Sequence, residues 1–256
     1  MLRTDLILAR LGTDAPRFAL EVVESCASTN TLLQERAANG APSGTVLIAE
    51  RQTAGRGRLG RSWFAAPEQS LAFSFLHRRH GDLAGLAGLS LAVGVAVARA
   101  LEALGVTGLG LKWPNDVFLR DKKLAGILIE TSADKEGVSA VIGIGLNLVA
   151  PDLPEVSAAG LADGIAVVPE RAELLAALVG ELGRTLAAFD AEGLAAVKDA
   201  WQARHIWQDQ AVRLIENDRT VVEGICRGID TEGALLVQTP AGISRFLAGD
   251  LSLRQA

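Results

Sequence analysis

Hydrophobic and polar positions change their period several times along the chain. Residues 17–24 (RFALEVVE) and 45–52 (TVLIAERQ) are short apolar runs that predict strands, and 70–77 (SLAFSFLH) alternates well enough to be a third. Between the first two, TLLQERAANG has helical spacing. Ser28, Thr29 or Asn30 can cap that helix and Gly40 can end it. Residues 83–104 are almost continuously apolar and predict one long buried helix, ended near Gly105. The segment GLGLKWPNDVFLRDKKLAGILIETS then reads as three strands with turns at Pro114-Asn115-Asp116 and Asp121-Lys122-Lys123. A buried strand follows at 138–149. Pro151, Pro154, Gly160, Gly164 and Pro169 mark 150–169 as a long loop, and helical periodicity returns over 170–190 and 192–205.

From Gln210 onward the texture becomes short β-rich runs. Turn signals separate them at Asn217-Asp218, Asp230-Thr231-Glu232-Gly233 and Pro240-Ala241-Gly242. About five strands in so short a span predict a small barrel. The expected organisation is therefore an α/β (α+β) unit over residues 1–208 and a β unit over 209–256.

Composition narrows the function. With 256 residues and 49% hydrophobic content, the chain needs no disulfide or metal to hold a core. The balance of 25 Lys+Arg against 30 Asp+Glu gives a net charge of −5, which argues against a generic nucleic-acid binder. Cys26 and Cys226 have no metal-like spacing. They read as two small buried residues in a reducing, cytoplasmic compartment. The start lacks the features of a secretory leader, and the apolar run from Leu83 to Ala98 is shorter than the ~20 residues of a membrane span. A cytoplasmic protein without membrane attachment is expected.

Two clusters carry candidate chemistry. Gly55-Arg56-Gly57-Arg58-Leu59-Gly60 fits G-x-G-x-x-G, but Pro67 and a strand follow where a dinucleotide-binding helix should start. On its own terms the loop alternates glycines with Arg56, Arg58 and Arg61. Such a loop suits an anion, and should be mobile until one arrives. A solvated basic surface loop and a short nucleic-acid segment are the other readings. The second cluster is Lys112-Trp113-Pro114-Asn115-Asp116 with Lys123-Leu124-Ala125-Gly126. Its cations and carboxylate suit a nucleotide phosphate with Mg²⁺, or are two ordinary charged hairpin turns.

Taken together, STN, GRGRLGR, KWPNDV, KKLAGILIE and IGIGLN, in this order and spacing, resemble a biotin–protein ligase over nearly the whole chain. The resemblance implies a catalytic domain with a mixed, mostly antiparallel sheet and an SH3-like C-terminal domain. It implies MgATP and biotin as reactants, biotinyl-5′-AMP as intermediate and a biotin carboxyl carrier protein as acceptor. Matched to its motifs, Ser28, Thr29, Gln52, Gly55, Arg56, Arg58, Lys123 and Gly126 would surround biotin. Arg58, Arg61, Lys112, Asn115, Asp116, Asn147 and Arg254 would meet ATP, with Asp116 toward the metal and Lys123 and Arg58 as catalytic cations. Trp63 is a pocket wall or plain core. His77, His80 and His205 are expected at the surface or an interface. STN begins at residue 28, too early for the winged helix-turn-helix of many bacterial members, so a ligase without a repressor function is expected. It would bind no nucleic acid and be a monomer or homodimer.

Overall fold

The structure is a computed structural model that describes residues 1–64, 67–135, 137–151, 157–216, 219–249 and 251–256. The expected turn at Asn217-Asp218 and Pro154 of the long loop lie outside the described residues. Seven strands form the larger sheet: β1 (Ala19–Cys26), β2 (Thr45–Gln52), β3 (Ser70–Arg79), β4 (Leu109–Lys112), β5 (Asp116–Leu119), β6 (Lys122–Asp134) and β7 (Gly137–Asn147). Their order is β1-β2-β3-β7-β6-β5-β4. Among the described strands of this sheet only β1 and β2 run parallel, joined through the helix Thr29–Ala38, and the remaining pairs are antiparallel.

Both faces of this sheet are covered, because successive side chains on a strand point to opposite sides. On one face Leu47, Leu76 and Val141 pack with Leu33 of the Thr29–Ala38 helix. On the other, Ile48, Phe73, Phe75, Ile142 and Ile144 join the main core under the helices Leu89–Ala103 and Arg171–Glu192. The Thr29–Ala38 helix packs mainly on the β2-β3-β7 part of its face, reaching β6 through Asn30 at its start. The β6 end is left open, and the candidate site lies there.

Three local expectations change. The apolar run 83–104 is not one helix: a 3₁₀ turn at Leu83–Leu86 precedes the helix Leu89–Ala103. Gly88 separates them at φ +78°, a conformation open to glycine. This segment is long and apolar enough to cross a membrane by composition, yet the Leu89–Ala103 helix packs against the Arg171–Glu192 helix and strands β4 to β6. Residues 192–205 likewise divide into a 3₁₀ turn at Gly193–Ala196 and a five-residue helix Lys198–Gln202. An N-terminal helix, Thr4–Leu11, was not foreseen; its Ile7 is fully buried and it packs on the Arg171–Glu192 helix.

The C-terminal strands are β8 (Ala211–Glu216), β9 (Arg219–Ile229), β10 (Leu235–Thr239), β11 (Gly242–Phe246) and β12 (Ser252–Gln255). They form an antiparallel sheet in the order β11-β10-β9-β8-β12. Register irregularities on both sides of β9 bend it. Val212, Cys226, Ile229 and Leu235 belong to the same hydrophobic core as Leu111 and Trp113. The indole Nε1 of Trp113 also donates to the carbonyl of Gly233 at 3.1 Å.

Candidate active site

Glycines make the floor of the site. On neighbouring strands, Ala72 pairs with Gly145 and Gly145 with Gly126; one rung along, Ser74 pairs with Gly143 and Gly143 with Leu128. A Cβ at Gly145 would stand 2.2 Å from the Trp63 ring, and one at Gly143 would stand 2.3 Å from Asn30 Oδ1. Any larger residue there would evict Trp63 or Asn30. The two glycines of IGIGLN thus let a tryptophan and an asparagine lie flat on the sheet. Around this floor opens a cavity of about 620 Å³.

One end of the cavity is a neutral polar recess. Gln52 Oε1 accepts from the Thr29 backbone N–H at 2.8 Å and from the Thr29 hydroxyl at 3.1 Å. The Ser74 hydroxyl lies 2.8 Å from Thr29 Oγ1 and 2.6 Å from Asn30 Oδ1, and its single proton serves one of them at a time. Asn30 Nδ2 donates to Leu128 O at 3.2 Å and to Glu130 Oε2 at 2.8 Å. Ser28, Thr29, Asn30 and Ser74 are all buried. Ser28 occupies the helix N-cap position but its side chain makes no capping bond, and Thr29 turns its hydroxyl to Gln52.

The other end is cationic. Asp116 opens β5, with Lys123 Nζ 2.7 Å from its Oδ1 and Lys112 Nζ 3.8 Å from its Oδ2. Among the described residues Asp116 Oδ1 is buried without an aligned donor, so the Lys123 contact is an ion pair rather than a hydrogen bond. Lys123 also lies over the Trp63 ring, 5.7 Å from its centroid, so it stands where the recess meets the cationic end. Lys112 is 6% exposed and sits between the rings of Phe118 and Trp207, at 5.5 and 5.3 Å. Burial pulls its ammonium down to about 8. Asp116 opposes that shift, while Arg254, Lys123 and Arg61 add to it. Burial and the nearby Arg61 also lower Arg254.

The Gly55–Arg61 loop crosses the cavity and is anchored at several points. Trp63 N–H donates to Gly55 O at 2.9 Å, and Gly57 N–H to Arg61 O at 2.7 Å. Arg56 pairs with Glu130 at 2.7 Å. Arg58 donates to Asn115 Oδ1 at 3.1 Å and to Gly249 O, in the connection between β11 and β12, at 2.7 Å. Asn115 in turn donates to Ile127 O at 2.7 Å. Asn147 donates to Ala159 O at 3.2 Å.

All the expected site residues line this one cavity except Gly55. Gly55 stands behind it, where a Cβ would meet Trp63 O at 2.5 Å. Trp63 lines the cavity, with its indole nitrogen buried and without a partner among the described residues. Asn30, Ser74, Phe118 and Trp207 were not anticipated. A lone hydroxyl in the apolar run LAFSFL was the available signal for Ser74. His77 is buried in the catalytic unit, His205 is buried where the two sheets meet, and His80 is exposed. His77 faces inward from β3 and meets Asp190 at 3.0 Å. His205 lies between Leu111 O at 3.2 Å and the Cys226 thiol at 3.1 Å, and burial lowers its imidazole to about 4. Cys226 is buried as expected; Cys26 is only partly so. Among the described residues no three His, Cys, Asp or Glu side chains cluster as a metal cage.

Residues 22–147 match the model of the biotin/lipoate A/B protein ligase family, and 209–254 match that of the biotin protein ligase C-terminal domain. The bifunctional ligase/repressor BirA of Escherichia coli (strain K12) is 38% identical over 236 residues, covering 90% of this chain and 72% of that protein. The chain belongs to the biotin protein ligase family. The biotin–[acetyl-CoA-carboxylase] ligase of Paracoccus denitrificans is 39% identical over 208 residues, 77% of this chain and 85% of that one. The biotin protein ligase of Aquifex aeolicus, solved with biotin and ATP, superposes with a TM-score of 0.80 at 30% identity, over 93% of this chain and 99% of that one. As a member of this ligase family, the chain is an enzyme that attaches biotin with the use of ATP.

Proposed function

We propose that the enzyme makes biotinyl-5′-AMP and passes its biotinyl group to a lysine of a biotin carboxyl carrier protein. In the first step a biotin carboxylate oxygen attacks the α-phosphorus of ATP and the bond to pyrophosphate breaks. In the second, the carrier amine attacks the acyl carbon, loses a proton and releases AMP. The observation that carries this reading is Lys123, standing at the junction of a neutral polar recess and a cationic end. An uncharged ureido ring suits the recess, where Ser28, Thr29 and Gln52 offer hydrogen bonds. Arg56 and Arg58 close over the acyl-phosphate region, and Gly126 leaves the floor open beneath it. Lys123 neutralises the negative charge that both steps place between carboxylate and α-phosphate. Lys112, Asn115, Arg61, Arg254 and Asn147 face the nucleotide.

Mg²⁺ fits this arrangement as a companion of the triphosphate, since hard oxygen ligands suit it and it commonly keeps only one or two carboxylates. Asp116, with a buried oxygen lacking an aligned donor, is the residue here to hold it. When bound, the ion would neutralise phosphate charge. We read residues 1–208 as the catalytic unit and 209–256 as an SH3-like unit that contributes Arg254. With a net charge of −5, the 256-residue polypeptide is proposed to act as a cytoplasmic ligase, monomeric or homodimeric, without membrane attachment or operator-DNA recognition.

Pyrophosphate exchange into ATP tests the reading. Exchange should appear with biotin and not with lipoate. Exchange with lipoate alone would reassign the recess, and exchange with neither would remove the adenylating role.

A further inference from the structure

Glu130 lies on β6, outside the cavity wall; it ends the KKLAGILIE motif, and the motif reading gave it no role. One oxygen of its carboxylate, Oε2, takes two donors of different origin. Arg56 Nη2 arrives from the glycine-rich loop at 2.7 Å, and Asn30 Nδ2 from the buried row beneath the recess at 2.8 Å. Beyond Asn30 the connections run to Ser74, Thr29 and Gln52. The floor admits this row, since a Cβ at Gly143 would stand 2.3 Å from Asn30 Oδ1.

We propose that Glu130 is a positioning residue that couples the polar recess to closure of the Gly55–Arg61 loop. The inference rests on the reading of the recess as the biotin site. Asn30 is 2% exposed, so its amide must find acceptors within the protein. Glu130 and Leu128 O supply them, which fixes the carboxamide and therefore the oxygen that meets Ser74. The same carboxylate fixes Arg56, whose flanking Gly55 and Gly57 otherwise leave the loop many conformations. A ligand that orders the Thr29–Gln52 end steadies Glu130 through Asn30. A fixed Glu130 in turn presents one docking point to the loop. Isolated exposed ion pairs stabilise little, but this carboxylate is only 25% exposed and is shared with a buried amide.

The test is a double-mutant cycle on equilibrium biotin binding by the full chain, without ATP. Glu130→Ala should weaken binding about tenfold in the otherwise native protein and less than about threefold in the Arg56→Ala background. Binding of a non-hydrolysable ATP analogue, measured without biotin, should change less than about twofold, which a general loss of structure would not allow. If Glu130→Ala does not fold, Glu130→Gln replaces it. That variant keeps an acceptor for Asn30 and removes the charge facing Arg56, and the same comparison decides. An equal factor in both backgrounds would overturn the coupling alone. Failure of the unsubstituted protein to bind biotin would overturn the reading of the recess and this inference with it.

Discussion

In the recess, Thr29, Gln52, Ser74 and Asn30 satisfy one another through short hydrogen bonds on a glycine floor. At the other end, Lys112 and Lys123 stand beside Asp116, Arg61 and Arg254 lie near Lys112, and Asp121 also lines the cavity. The first region is electrically complete within the protein. The second holds more positive than negative charge, part of it buried, and an anionic ligand relieves that imbalance. Shape and hydrogen-bond direction therefore select at one end, while charge does the work at the other. The same difference governs cost. A neutral network is built once during folding, whereas crowded cations oppose burial until phosphate arrives.

The contrast is broken most severely at Lys123. Lys123→Ala should slow adenylation by about 3 kcal/mol or more in barrier, at least about a hundredfold, while biotin binding suffers less. Single-turnover formation of adenylate measures the first and equilibrium binding the second; equal losses in both would assign Lys123 to ground-state binding. A smaller effect comes from Lys112. Its ammonium must be charged to meet phosphate and loses its proton near 8, so kcat/KM for ATP should fall with rising pH, approaching tenfold per unit above about 8. Unfolding does not account for such a loss. The unfolded lysine keeps its proton up to about 10.5, so this group makes the fold more stable, not less, between about 8 and 10.5. A flat profile there would remove Lys112 from the phosphate site. The mildest change is Thr29→Val, which keeps the shape and removes one hydroxyl from the recess. It should weaken biotin binding by about 1 kcal/mol, roughly fivefold, and leave ATP affinity unchanged.

Much of this contrast is readable from the chain because strands report both of their neighbours. Alternation in SLAFSFLH and the glycines of IGIGLN place a two-sided sheet, and the joint motifs place the cations around Asp116. The recess is harder to read. Asn30 sits beside a helix start, where local chemistry offers capping as a sufficient explanation, and its partners Leu128 and Glu130 are nearly a hundred residues away. Trp207 meets Lys112 only because the segment after the Lys198–Gln202 helix pairs with β4, Leu111 N–H donating to Arg204 O at 2.7 Å. His205 was expected at the surface or an interface, and it lies where the two sheets meet: nothing local buries it, but the C-terminal sheet does, through Cys226. The helix break at Gly88 was hidden for a related reason: apolar periodicity continues across a glycine whose backbone has turned to positive φ.

The central claim is that the two ends meet at Lys123 so that a carboxylate held by one is joined to a phosphate held by the other. Mass spectrometry of the purified protein after incubation with biotin and MgATP, with no carrier present, tests it most directly. Biotinyl-5′-AMP should be retained by the protein, with much less of it in the Lys123→Ala variant. Folded protein that binds both biotin and ATP yet yields no adenylate would contradict it.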